Sequence, residues 1–309
     1  MVYDYSLSKE LFRMICPRGD LMDYKVKKWN RKHQTSSGTE RVLESTLNTL
    51  RTGHYWYKGK RVYLKNSLEK MRKSKVLLPH EIYDYFEDYG DKQKHTKCKI
   101  TVQNMDTFDM AEKMCESNQE RVAVLNFACP IEAGGGVRRG AVSQEETLCL
   151  RSSLLESLEN ANDYYTYNRS LKHTFVASDA IIISENVEVF RNSDYGYRKS
   201  PFQVDILSCA APFVSPFSHC LENYTKAQME ELWFQRISCV ILTLIKHSYR
   251  YVVLGAWGSG AYNNDPRLVA HAYQRVFDAI GIDGYFDEVC FAIKGEENLK
   301  IYKEVFQQI

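Results

Sequence analysis

The deciding stretch opens with Val122-Ala123-Val124-Leu125-Asn126-Phe127, an apolar run of strand length, and continues through Ala128-Cys129-Pro130-Ile131-Glu132-Ala133 into Gly134-Gly135-Gly136. It then passes Gly140 and Ser143 to reach Gln144-Glu145-Glu146, where helical spacing begins. A buried strand, a glycine-rich turn and a helix in that order form the repeating unit of α/β sheets. Three consecutive glycines lose much backbone entropy on folding, so they imply a close backbone approach, either to a ligand or within a tight turn. Uncovered N–H groups beside a helix N-terminus suit an anion such as a diphosphate.

The same alternation extends in both directions. Strands are expected at Ile100–Val102, Val122–Phe127, Ala180–Ser184, Val204–Cys209, Tyr251–Leu254 and Val289–Ile293. Helices are expected at Thr107–Ser117, Gln144–Glu159, Ala227–His247 and Pro266–Ile280. In the longest helix Met229, Leu232, Trp233, Ile237, Val240, Ile241 and Leu244 make one apolar face. The pattern predicts an α/β fold with a largely parallel or mixed sheet covered by helices on both faces. Ligands of such sheets bind where loops leave the carboxyl ends of strands, which singles out the loops after Phe127, Cys209 and Leu254.

Before residue 98 the pattern differs, and residues 1–97 are expected to be a basic, mainly helical extension packed on a core of residues 98–309. Lys32–Thr39 is polar and loop-like. Arg41–Leu50 has helical spacing that stops at Gly53, and Tyr55–Leu64 reads as a hairpin turning at Lys58-Gly59. Acidic Tyr83–Asp91 precedes basic Lys92–Lys99. Residues 1–100 hold 22 Lys/Arg against 12 Asp/Glu, and the other 209 hold 19 against 27. This asymmetry either attracts a polyanion such as nucleic acid or only offsets the acidic remainder. Lys25, Lys27, Lys28, Trp29, Arg31 and Lys32 can equally be one solvated helical face.

The 309 residues are 44% hydrophobic and 26% charged, which is globular composition. No run approaches the ~20 apolar residues that span a bilayer, and the first residues lack a secretory pattern. Nine cysteines without a C-x-x-C pair read as reduced thiols of an intracellular protein, cytoplasmic or nuclear. Cys209, Cys239 and Cys290 lie in apolar segments and are expected in the core. No metal site or cofactor is indicated.

Ser143-x-x-Glu146 before Leu148 and Leu150 fits a capping box, in which the glutamate accepts a backbone N–H. The helix dipole favours the ionised form of such a residue, whereas a general acid must carry a proton. The adjacent Glu145 acts the other way, because a like charge raises a carboxyl pKa. Cap and acid both remain open on these residues alone.

Gly134-Gly135-Gly136, seven residues and then Gln144-Glu145-Glu146 resembles the signature of poly(ADP-ribose) glycohydrolases, and Leu125–Ala128 is similar to the bacterial-type branch. Further similarity lies in Thr46–Tyr55, Ser184–Arg191, Val204–Pro212 and Leu254–Pro266, so the resemblance spans roughly residues 40 to 309. It implies a macrodomain-like mixed sheet flanked by helices, with an N-terminal extension. It also implies hydrolysis of ribose–ribose bonds of poly(ADP-ribose), releasing ADP-ribose from chain ends. By the resemblance Glu146 is the acid/base and Glu145 orients substrate hydroxyls. Asn126 and Gln144 join the substrate site, with Asn126 on the distal ribose. Gly134, Gly135 and Gly136 cradle the diphosphate, Gly258, Ser259, Gly260 and Ala261 close over it, and Tyr262 packs on the ribose. Phe190 and Phe213 either flank adenine or belong to the core, and Asp265-Pro266 reads as a helix start.

The chain departs from the family where Cys129–Ala133 replaces a proline just before the glycines, where Glu132 adds a negative charge, and where Ser259 and Asn263 replace a common cysteine and glycine. The leaving group is therefore left open. Expected partners are ADP-ribose and poly(ADP-ribose) or ADP-ribosylated protein, with nucleic acid as a further partner of the basic region and no membrane. The competing readings are a mono-ADP-ribosyl hydrolase acting on protein or nucleic acid, and a non-catalytic ADP-ribose reader.

Overall fold

A computed structural model describes residues 37–91, 96–118, 120–171, 176–214 and 224–306. The basic run Lys25–Lys32, most of the expected loop at Lys32–Thr39, Cys16 and Cys220 lie outside these described residues. In chain order the elements are α1 (Ser37–Thr52), β1 (His54–Tyr57), β2 (Lys60–Tyr63), α2 (Leu68–Met71), β3 (Lys75–Leu77), α3 (Pro79–Tyr83), β4 (Lys99–Gln103), α4 (Thr107–Ser117) and β5 (Val122–Phe127). There follow α5 (Gln144–Arg151), α6 (Leu154–Leu158), α7 (Asn162–Ser170), β6 (Ile181–Arg191), β7 (Tyr197–Cys209), α8 (Lys226–Lys246), β8 (Tyr251–Leu254), α9 (Pro266–Ile280), β9 (Glu288–Ala292) and α10 (Glu296–Phe306).

Seven strands form one sheet in the order β3-β6-β7-β5-β8-β9-β4. Neighbours from β7 to β4 run parallel, while β6 is antiparallel to both β7 and β3. Strand periodicity divides the core between the two faces. Ala123 and Leu125 of β5 join Leu207, Val252, Trp233 and Tyr273 on one face, where α8 and α9 pack. Val122 and Val124 join Ile182, Ile206, Leu148 and Leu155 on the other, under α4 to α7. All six expected strands occur, and β5 lies at the centre with its carboxyl end pointing into the glycine loop.

Three details differ from the sequence pattern, and one open choice is decided. The α1 helix begins at Ser37, so Ser37–Thr39 are helical rather than loop. The expected helix Gln144–Glu159 is two helices, because Ser152 is extended and forms a bridge to Val189, with Ser153 N–H donating to the Glu188 carbonyl. Strand β3, unmarked by the sequence pattern, supplies an edge of the sheet from before residue 98. Phe190 is fully buried with Leu50, Tyr55 and Met71, which decides for its core role. Other expectations hold. Lys58 and Gly59 both have positive φ in a two-residue hairpin turn, Asp265 caps α9 ahead of Pro266, and Cys209, Cys239 and Cys290 are fully buried. Among the described residues no helix is long and apolar enough to cross a membrane.

Candidate active site

Helix α5 starts beside the carboxyl end of β5, and its first three residues are tied there one by one. Gln144 holds the strand itself: its Oε1 accepts the Phe127 N–H at 2.8 Å and its Nε2 donates to the Leu125 carbonyl at 2.8 Å. The amide thus continues the backbone pattern of a sheet and fixes the helix against β5. Glu145 is 3% exposed. Its Oε2 accepts from Cys129 N–H at 2.8 Å and its Oε1 from Asn126 Nδ2 at 3.3 Å. Burial above all, then the adjacent charge of Glu146, pushes the Glu145 carboxyl well above the usual carboxylate range.

Glu146 is also buried, and each of its oxygens accepts a backbone N–H: Oε2 from Ser143 at 3.0 Å and Oε1 from Gly136 at 2.8 Å. The glutamate half of the capping box is therefore made, while Ser143 gives no side-chain cap bond. The bond to Ser143 holds the carboxylate at the helix start, and the bond to Gly136 draws the glycine loop over it. Each oxygen keeps a second lone pair for another partner.

The glycines are required by this arrangement. Gly135 has φ +56°, and a Cβ built there would lie 2.6 Å from Glu146 Oε1 and 3.0 Å from Glu145 Oε2. Both carboxylates therefore converge beneath Gly135. A Cβ on Gly134 would meet Leu155 Cδ1 at 2.7 Å. Two loop N–H groups are already committed, Gly135 to the Glu132 carbonyl and Gly136 to Glu146. The negative charge that Glu132 adds is paired, because its carboxylate makes a two-pronged bond with Arg139 at 2.7 and 2.6 Å.

Asn126 is fully buried at the end of β5. Its Nδ2 also donates to Ser208 Oγ at 2.9 Å, its register partner on β7, and its Oδ1 has no hydrogen-bond partner among the described residues. Ser208 was not foreseen. A single serine in an apolar strand carries no distinguishing signal until the parallel register sets it beside Asn126.

The loop after β8 is organised by Asn264, which sequence reasoning passed over. Its Nδ2 donates to the carbonyls of Pro212 at 2.7 Å and Gly258 at 3.0 Å, and its Oδ1 accepts from Trp233 Nε1 at 3.2 Å. Asn263 has φ +57°, a conformation asparagine tolerates better than most residues, so it serves where a glycine is common. Gly258 packs against Asn264 and Ala211, Gly260 and Ala261 are exposed, and Ser259 Oγ is buried without a partner among the described residues. Tyr262 meets Phe213 edge-on with centroids 5.1 Å apart. Burial above all, with the neighbouring Cys129 and Glu145 groups of the first loop and helix α5, drives its hydroxyl pKa far up.

Beneath the loop after β7 lies a buried pair, Arg236 and Asp179, also invisible to pattern. Arg236 reaches the carbonyls of Ala210, Val176 and Ala177, and Asp179 accepts from Tyr83 and Gln235. The Cys129 thiol is pushed up to about 12 by burial and by Glu145, so it is not a thiolate at neutral pH. Among the described residues no cluster of His, Cys, Asp or Glu is arranged to hold a metal.

Residues 44–192 match the family model of the microbial-type PARG catalytic domain. The chain also matches the crystal structure of poly(ADP-ribose) glycohydrolase from Thermomonospora curvata, with TM-score 0.82 and 26% identity over 88% of this chain and 100% of that one. Over these spans the chain is similar to bacterial-type poly(ADP-ribose) glycohydrolases. The Thermomonospora enzyme bound to the inhibitor ADP-HPD matches with TM-score 0.79 and 25% identity, over 88% of this chain and 100% of that one. The Deinococcus radiodurans glycohydrolase in complex with ADP-ribose matches with TM-score 0.72 and 27% identity, over 80% of this chain and 99% of that one. No curated protein matches in sequence. The family match takes in the glycine loop and both glutamates, while the loop after β8 lies outside residues 44–192.

Proposed function

We propose that this chain hydrolyses the O-glycosidic ribose–ribose bonds of poly(ADP-ribose), releasing ADP-ribose from chain ends, with Glu146 as general acid and base. One observation carries the assignment of roles. Two buried carboxylates converge beneath Gly135, next to an asparagine whose Oδ1 has no partner among the described residues. Burial and the neighbouring carboxylate favour keeping a proton within this pair, where it is available for transfer.

In the proposed reaction the bond between the ribose anomeric carbon and the bridging oxygen breaks. Glu146 delivers a proton to the departing oxygen as positive charge develops on the sugar. Water then adds to the anomeric carbon and returns its proton to Glu146. Asn126 Oδ1 accepts from a ribose hydroxyl, and Glu145 orients the same sugar. Gln144 acts by clamping α5 to β5 rather than through direct contact, since both ends of its amide are occupied. Gly258 to Ala261 approach the diphosphate, and Tyr262 packs on the ribose. The likeness to glycohydrolases solved with ADP-ribose and with ADP-HPD supports a ligand of this class.

Glu146→Gln keeps the side chain's size and one of its two backbone hydrogen bonds but cannot relay the proton. The expected result is undiminished ADP-ribose affinity by calorimetry with a rate on poly(ADP-ribose) lowered ~10²-fold or more. Unchanged turnover would return Glu146 to capping alone. Cleavage of mono-ADP-ribosylated peptides but not of polymer would move the substrate to the mono-modified class.

A further inference from the structure

We propose that the outer face of the β1–β2 hairpin binds the outlying units of a poly(ADP-ribose) chain whose end is in the active site. The inference rests on the hydrolase reading above. The register sets His54 opposite Tyr63 and Trp56 opposite Arg61. Strand periodicity puts these four on one face and Tyr55, Tyr57 and Val62 on the other. The inner face is accounted for: Tyr55 is buried and stacks on Tyr197, with centroids 4.6 Å apart and planes at 8°.

Among the described residues the rings of the outer face pack on no other element of the fold. Trp56 is 57% exposed and Tyr63 64%, two of the three large hydrophobic residues exposed among the described residues. The Arg61 guanidinium lies over both rings, 5.1 Å from the Trp56 centroid and 6.0 Å from that of Tyr63. The surroundings are strongly basic. Residues 54–75 contain eight Lys/Arg and a single acidic residue, Glu69, and Lys58, Lys60, Lys65, Lys70 and Lys73 are all exposed.

Flat exposed rings interleaved with cations suit a single-stranded polyanion that carries bases, because the rings stack and the cations pair with phosphates. Each ADP-ribose unit offers one adenine and two phosphates. Helix α1 connects this face to the site. Thr39 at its start donates to the Gly140 carbonyl of the glycine loop, and the hairpin follows its end. Sixteen helical residues span about 24 Å, a distance that a polymer leaving the active site covers within a few units.

The test compares the full chain with a Trp56→Ala, Arg61→Ala double variant, both carrying Glu146→Gln so that ligands persist. The expected result is a loss of about tenfold in affinity for long poly(ADP-ribose), a size in keeping with one lost stacking contact. ADP-ribose affinity and melting temperature stay unchanged, the log–log salt slope of long-chain binding becomes shallower, and Trp56→Phe retains the long-chain affinity. Equal long-chain affinity in the double variant overturns the proposal. So does a loss confined to oligodeoxyadenylate of matched length, which would make the face a nucleic-acid surface. If the chain with Glu146 intact releases no ADP-ribose from polymer, the hydrolase reading fails first and the proposal falls with it.

Discussion

The two glycine-bearing loops of this fold solve different problems. In the loop after β5 the glycines face inward: Gly135 lies against the carboxylates of Glu145 and Glu146, Gly134 lies against Leu155, and two of the loop N–H groups are already bonded within the protein. In the loop after β8 Gly255 and Gly258 are packed in this way, Gly255 against Phe127 and the Ala292 carbonyl, but the tip of the loop is not. Gly260 has nothing within 4 Å of where a Cβ would sit, and Ala261 beside it is exposed. The first loop frames two buried carboxylates, and the second turns on its own hydrogen bonds and exposes its tip at Gly260 and Ala261. Glycine richness alone does not reveal which of these a loop does.

The largest effect expected from breaking this contrast is at Gly135. Gly135→Val forces a branched residue into φ +56° and drives its Cβ to within 2.6 Å of Glu146 Oε1. A left-handed conformation costs a non-glycine residue about 1–3 kcal/mol, and the clash adds displacement of the carboxylate. Turnover should fall by about two orders of magnitude, the scale of a lost acid–base group, together with a lower melting temperature. A Gly135→Val protein with full turnover would mean that the loop does not frame the carboxylates.

Much of the architecture was legible before any coordinates. The six strands follow from apolar runs, and α5 follows from the Ser143-x-x-Glu146 start. What escaped was set by distance in the chain. Asn264 needs Trp233 and Pro212 to become a hub, Ser208 needs the register with Asn126, and Arg236 needs Asp179. Ser152 breaks the expected long helix because it bridges to Val189, a contact that helical periodicity does not encode. At Gly135 the sequence indicated close approach but not its object, which is the protein's own carboxylates.

A smaller effect sharpens the view of the first loop as a charge-bearing frame. Burial and the neighbouring Glu146 hold the Glu145 carboxyl above its ordinary value of 4.5 in the fold. Between that ordinary value and the raised one, the native state binds more protons than the unfolded chain, so stability contributed by this group falls as pH rises. Glu145→Gln removes the titration and leaves only a pH-independent change from altered hydrogen bonding to Cys129 and Asn126. The melting temperature of the variant minus that of the unaltered protein should therefore increase as pH is raised through this window. A difference that stays flat would place the proton elsewhere.

The smallest expected effect is the one that most directly tests the second loop. Gly260→Ala adds a methyl where nothing lies within 4 Å, and Gly260 is not in the left-handed region, so neither clash nor strain opposes it. Exposed substitutions of this kind stay within about 0.5 kcal/mol, and the melting temperature should hardly move. Affinity for ADP-ribose is the discriminating readout. If the exposed backbone of this loop approaches a diphosphate, a single methyl in its path weakens binding several-fold while the fold is untouched. If binding and stability are both unchanged, Gly260 does not approach the ligand, and the contact must come from its neighbours in the loop.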